Sequence, residues 1–412
     1  MSVDVQLPQE LVATVIDHIS TNPESLKACA LVCRSWLSPS RSHLFHKFYL
    51  SGPQNIFAFR DLMKSPHCTF LEHIRVLVAR RYTFYLNDRY FNEIVADLLR
   101  LTGIRALEIS LRTVYPTDPD AAEHSPYHLG FVTSGVSSVM HSVFSAFPRL
   151  TRLDLFCWFD ESDTPVIELI CLSPALEELC LSSSTGFDAP SSSEKPSRSE
   201  AAPPPPQGLH RVELRGGLMN LILAWLQSAE HLGNVDSLTL SGLEYGHENI
   251  VRSALEQIGD SLQHLDIVLT ESLGQDASVV YDFSRHPSLR TLRICDDGWV
   301  NTDNVHPDQM LQMITKIVAP TLECVSFAID ISLYTEFEWA TLDNFLSAPR
   351  FSCLEKVDFT YHNFRFRESP DHLFLRRNLP SLEGSAKLQI PAKDLGRDQT
   401  VAVALARARV SF

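Results

Sequence analysis

The chain lacks most of the short signatures that mark an enzyme or a membrane protein. It has no run of about 18 apolar residues, so no membrane-spanning helix and no membrane partner are expected. Gly-x-Ser-x-Gly, Gly-x-x-x-x-Gly-Lys-(Ser/Thr) and His-Glu-x-x-His are all absent. That removes the nucleophile elbow, the phosphate loop and the zinc-peptidase pair. Asp296, Asp297 and Asp303 are close in sequence, but without the spacing of a metal or acid–base site. No catalytic residue, cofactor or metal is therefore expected. No Asn-x-Ser/Thr acceptor occurs, and no Lys or Arg precedes Lys27, while Asp4 and Glu10 do. The expectation is a chain without a secretory signal or transit peptide, working in the cytoplasm, the nucleus or both. The nine cysteines form no Cys-x-x-Cys pair. Cys29 and Cys33 could share a metal with His43 or His46, but small buried thiols in a reduced compartment are the simpler reading.

Positive charge is also scarce. Lys and Arg total 35 against 50 Asp and Glu, and the deficit is local. Residues 1–50 are neutral, with four bases and four acids, whereas residues 113–364 hold 13 bases and 35 acids. So acidic a body repels phosphates, and no nucleic-acid partner is expected. It suits a basic protein partner, or it is a solubilising surface.

What the chain does have begins at Leu7. Leu7-Pro8 opens a helix, since proline is tolerated in a first turn, and Glu10 follows where the macrodipole favours an acid. Leu11, Val12, Val15, Ile16 and Ile19 make one broad apolar face. Asn22-Pro23 ends that helix, and Ser25 can cap a second carrying Leu26, Cys29, Val32, Cys33 and Trp36. Ser38-Pro39 starts a third with Leu44 and Phe45. Three helices in about forty residues sit near the lower limit of independent stability and need a partner to cover their apolar face.

Leu7-Pro8-Gln9-Glu10-Leu11, then Val15 and Ile19, then Val32-Cys33-Arg34-Ser35-Trp36, resembles the F-box pattern, especially its fungal form. The resemblance covers about forty residues, places an F-box at 1–50, and implies binding to a Skp1-like adaptor, and through it to a cullin–RING ligase. On that resemblance Leu7, Pro8, Leu11, Val15, Ile19, Leu26, Val32 and Trp36 form or support the adaptor surface.

The remainder repeats. An apolar-x-x-apolar-x-apolar block recurs as Leu71…Ile74…Val76, Ile104…Leu107…Ile109, Leu150…Leu153…Leu155 and Leu176…Leu179…Leu181. It continues as Leu209…Val212…Leu214, Val235…Leu238…Leu240, Leu262…Leu265…Ile267, Leu289…Leu292…Ile294, Leu322…Val325…Phe327 and Leu354…Val357…Phe359, with a degenerate copy at Leu382. The last two apolar residues alternate as in a strand. Intervening stretches read as helices, such as Leu218, Leu221, Ile222, Trp225 and Leu226 on one face. Short strands alternating with helices in stacked repeats predict an α/β leucine-rich-repeat solenoid over 51–390, parallel strands concave and helices convex. Trp158, Ser184 and Asp297 stand where the regular pattern has Asn, so the array should be irregular. An ordinary α/β domain is the alternative.

Residues 182–207, with prolines at 203–206, read as a disordered insert projecting from one edge. Residues 113–130 read as a long rim loop, and 391–412 as a cap or tail. The resemblance together with the repeats implies the substrate-recognition subunit of an SCF-type ubiquitin ligase. A non-degradative scaffold is the second reading. Candidate contacts to an unknown protein substrate are Glu72, Arg152, Glu177, His264 and Arg290, which lie between the apolar positions of their blocks.

Overall fold

The computed structural model describes residues 7–50, 53–66, 68–79, 94, 96–112, 138–158, 166–183, 202–243, 246–269, 277–296, 307–329, 334–361 and 372–390. The expected rim loop, the expected tail and residues 184–201 of the insert lie outside these. The chain divides into two units. One is Met1–Cys180 with Gly186–Gly208, the other Leu181–Thr185 with Leu209–Phe412.

The first unit opens with α1 (Gln9–His18), α2 (Pro23–Ala30) and α3 (Arg34–Leu44). Strands β1 (Lys47–Tyr49), β2 (Val76–Ala79), β3 (Ala106–Arg112) and β4 (Arg152–Trp158) follow, each parallel to the one before. Between them lie α4 (Pro53–Lys64) and α5 (Ser138–Ser145), and α6 (Val166–Cys171) comes after β4. Alternation decides which residues are covered: Leu107 and Ile109, like Leu153 and Leu155, are buried, while Arg152 beside Leu153 is exposed.

The register corrects the first repeat block. Leu77 pairs with Leu107, and Leu107 with Leu153. The block is therefore Ile74…Leu77…Ala79, three residues later than Leu71…Ile74…Val76. Leu71 instead heads a short 3-10 turn. Apolar residues at 71, 74 and 77 fit either spacing, and strand pairing selects one. The array also starts earlier than residue 51. Phe48 of β1 pairs with Leu77, and Leu50 N–H donates to Val78 O at 2.8 Å. Phe45…Phe48…Leu50 is thus a repeat block fused to the end of the three helices.

In the second unit β6 (Arg211–Arg215), β7 (Ser237–Ser241), β8 (His264–Leu269), β9 (Thr291–Asp296), β10 (Cys324–Ile329), β11 (Lys356–Tyr361) and β12 (Leu388–Gln389) pair parallel in chain order. The helices α7 (Met219–Ser228), α8 (Glu248–Ile258), α9 (Ala277–Val280), α10 (Pro307–Thr315), α11 (Trp339–Leu346), α12 (His372–Asn378) and α13 (Pro380–Gly384) alternate with them. This is a leucine-rich-repeat-like α/β array. Helical residues at i, i+3 and i+4 such as Val251, Ala254 and Leu255 are buried, and so are Leu238 and Leu240 of β7. One sheet face is covered and the other is open. Neighbouring repeats are linked by backbone just ahead of each strand: Gln263 O accepts from both Arg290 N–H and Thr291 N–H, and Arg290 O from Glu323 and Cys324. A backbone ladder thus does what an asparagine ladder does in regular repeats.

The insert is shorter than 182–207 at both ends. Ser182 and Ser183 belong to β5 (Glu178–Ser183). Pro205 and Pro206 are buried, and the Cys171 thiol donates to Pro204 O at 3.5 Å. A proline run has no N–H to satisfy, so it can lie against α6 without stranding a donor.

Candidate functional site

The three-helix element has a small core of Val12, Ile16 and Leu26, with Ile19, Cys29, Trp36 and Leu44 packed on it. Pro8 caps α1 through its carbonyl, which accepts from Leu11 and Val12 N–H. The cap of α2 is the Asn22 side chain, which accepts from Ser25 N–H at 3.1 Å, so Ser25 lies inside the helix instead of capping it. The second helix also ends sooner than expected. Leu31 and Val32 form a turn, Cys33 is extended at φ −163°, and Trp36 and Pro39 both lie within α3. Breaking the chain at 31–33 lets Trp36 turn inward while Val32 turns out. The His43 ring donates to Asp17 at 2.8 Å and ties α3 to α1, and Arg41 donates to Thr69 at 3.0 Å.

The eight residues expected to meet an adaptor therefore separate. Leu26 is core, and Ile19 and Trp36 line it. Leu7, Pro8, Leu11 and Val15 are exposed, and the three apolar ones recur every four residues along one stripe at α1. Val32 is 64% exposed, and beside it Leu31, absent from the expected set, is 87% exposed. Leu31 could have been singled out with Val32, its apolar neighbour in the sequence.

The five expected substrate contacts separate too. Glu72 lies on the 3-10 turn, off the sheet. Glu177 and Arg290 sit one residue ahead of β5 and β9, and Arg290 pairs with Glu323 at 3.2 Å. Arg152 and His264 are first residues of strands on the open face. His264 Nδ1 is 2.8 Å from Thr291 Oγ1, its register partner on β9.

The strand centres of the second unit were missed. They are the single residues between the last two apolar positions of each block. Glu213, Thr239, Asp266 and Arg293 stand in register across β6, β7, β8 and β9. A shallow groove runs over β7–β10, lined by Ser237, Thr239, His264, Asp266, Arg293 and Ser326. It exists because serine and threonine leave the strand backbone uncovered. Burial raises the Asp266 pKa above the usual carboxylate range, and Glu213 adds repulsion. Arg293, 3.3 Å away, and Arg215 offset this only in part.

Among the described residues no three His, Cys, Asp or Glu side chains group as metal ligands, and no helix is long and apolar enough to cross a membrane.

No family model matches the chain, and no curated protein is similar to it. Among solved structures it is similar to a Bacteroides fragilis protein at 14% identity, over 79% of this chain and 75% of that one, with a TM-score of 0.38. It is also similar to an LRR protein of Leptospira interrogans at 11% identity, over 91% of this chain and 98% of that one, with a TM-score of 0.25.

Proposed function

We propose that the protein is the substrate-recognition subunit of an SCF-type ubiquitin ligase, with an F-box at its N-terminus and a protein target held by the repeat array. The observation that supports this is the exposure of Leu7, Leu11, Val15, Leu31 and Val32 on an element whose sequence resembles an F-box. Large apolar side chains in water on so small a helical element suit burial against a partner. On this reading the partner is a Skp1-like adaptor, and the chain contributes proximity, while the ubiquitin thioester belongs to another enzyme. The protein works in the cytoplasm or nucleus, where that machinery resides.

Co-expression with a Skp1-like adaptor and a cullin tests the reading. Wild type should retain both through affinity purification. Leu11→Asp with Val32→Asp should lose both while keeping the wild-type melting curve. Retention of the adaptor by that double variant would falsify the F-box assignment. Adaptor without cullin would replace the ligase reading with a non-degradative scaffold.

A further inference from the structure

We propose that the rim of the first unit at His46, Arg75 and Arg105 binds a run of Asp or Glu side chains on a protein partner. The inference rests on the receptor reading and names the chemistry of its target.

The three residues stand one position ahead of β1, β2 and β3, and the backbone stacks them. Arg75 N–H donates to His46 O at 2.9 Å, and Arg105 N–H to Arg75 O at 2.8 Å. Strand spacing sets each step at about 5 Å, so the row spans about 10 Å. The same position in the second unit shows how closely such neighbours approach, since Arg290 reaches Glu323 there at 3.2 Å. In the first unit the neighbours are basic instead. Arg75 extends toward the next repeat, where Gly103, two residues before Arg105, leaves room for it. A Cβ at Gly103 would collide with Arg75 Nη1. Beyond Arg105 the row passes through Thr151 and meets its first acid at Glu177.

None of the three has a carboxylate partner among the described residues. Arg75 Nη1 donates to two main-chain oxygens, Glu72 O at 2.6 Å and Ile74 O at 3.1 Å, which leaves its charge unneutralised. The neighbouring acids are matched to other cations. Asp17 pairs with His43, Glu72 with His73, Glu108 with Lys47 and Glu178 with Arg152. Arg75 and Arg105 are therefore in surplus. Burial lowers the His46 pKa, and His43, Arg75 and Lys47 lower it further with no carboxylate acting against them. The field at this rim is positive, and like charges on adjacent strands repel, so an anion seated between them is favoured. Residues 51–112 hold nine bases and six acids, a local reversal of the chain's net −15. The acidic residues 113–364 disfavour a long polyphosphate, which selects a short carboxylate run over a nucleic acid.

The test uses the full chain and two fluorescent peptides of equal length, one rich in glutamate and one in glutamine, followed by anisotropy. The glutamate peptide should bind and the glutamine peptide should not. Arg105→Gln, at an exposed position, should weaken binding about fivefold, the upper scale of an exposed ion pair. Arg105→Glu should abolish it. His46→Glu, which puts a carboxylate on the same rim from the neighbouring strand, should do the same and serves if the Arg105 variants fold poorly. Arg252→Gln, at an exposed position of α8, should leave binding unchanged. Equal binding of the two peptides, equal loss from Arg252→Gln, or full binding by Arg105→Glu would overturn the proposal. So would a single-stranded oligonucleotide that binds the rim more tightly than the glutamate peptide, or self-association of the chain that Arg105→Glu removes. Adaptor capture by the same preparations is scored separately. Its loss sinks the receptor reading without touching the peptide result, and the converse holds.

Discussion

Leu11 and Val12 are neighbours in α1 with opposite surroundings: Leu11 is 52% exposed and Val12 is 1% exposed. One belongs to the stripe at the surface, the other to the core beneath it. Val12→Ala should cost about 1–3 kcal/mol of local stability. That would speed hydrogen exchange of residues 9–18 roughly 5- to 160-fold. Leu11→Ser should leave exchange nearly unchanged. Equal acceleration in both variants would show that Leu11 is core as well.

That pair also marks the limit of what the residues disclose by themselves. Leu11, Val12, Val15, Ile16 and Ile19 are visibly one apolar face, and the structure keeps the first four on α1 with Ile19 at its C-cap. Periodicity defines a face about 100° wide or more, but which half of it meets the core depends on where α2 and α3 pack. The strand–helix repeats were legible because Leu-x-x-Leu-x-Leu is itself the packing unit. Register was legible only where the apolar spacing was unambiguous, so the block at Ile74 slipped by three residues and carried Glu72 off the sheet with it. Arg152 and His264 were placed on strands correctly. Asp266 and Arg293 were not singled out, although each is the residue between two buried ones, such as Leu265 and Ile267 around Asp266. Their significance depends on the neighbouring strands, which a single repeat does not reveal.

Gly216 follows β6 with φ +80°, and a Cβ there would collide with the Ser183 carbonyl oxygen. Its N–H donates to Ser241 O at 3.0 Å, and two residues on, Leu218 N–H donates to Ser183 Oγ at 3.0 Å. The turn from strand to α7 is therefore closed on backbone atoms that cannot swing aside. Gly216→Ala combines a disfavoured φ with a contact to rigid backbone, and should destabilise by about 1–3 kcal/mol. Gly233→Ala, with φ outside the positive region and open space at its Cβ, should be neutral. Urea midpoints of the two variants make the comparison.

Asp343 of α11 is buried, and its carboxylate caps α13. Oδ2 accepts from Ser381 N–H at 2.9 Å and Oδ1 from Leu382 N–H at 3.0 Å. Those are two of the amides that the first turn of α13 cannot satisfy internally. Asp343→Ala leaves both stranded and should cost about 2–4 kcal/mol, twice the scale of a single lost partner. Asp343→Asn keeps one acceptor oxygen and should fall between the two. Protease sensitivity after residue 372 should rise in the same order. An unchanged cleavage rate in Asp343→Ala would mean that α13 is held by packing alone.

His286 gives the array an acid-sensitive point. The ring is buried, Nδ1–H donates to Gly259 O at 2.9 Å, and Nε2 has no partner among the described residues. Burial depresses its pKa, and the Gly259 bond with Asp282 and Asp260 offsets this only in part. The sign follows from linkage. The unfolded histidine takes its proton near pH 6.5, whereas the folded one resists to a lower pH. Its stabilising contribution is complete above about pH 6.5 and is lost as pH falls from there toward the folded pKa, at no more than about 1.4 kcal/mol per pH unit. His286→Asn keeps a donor where Nδ1 stands and removes the titration. Wild type should therefore lose more stability than the variant between pH 7 and pH 5, read as the shift in urea midpoint. Parallel shifts in the two proteins would assign the acid sensitivity to other histidines.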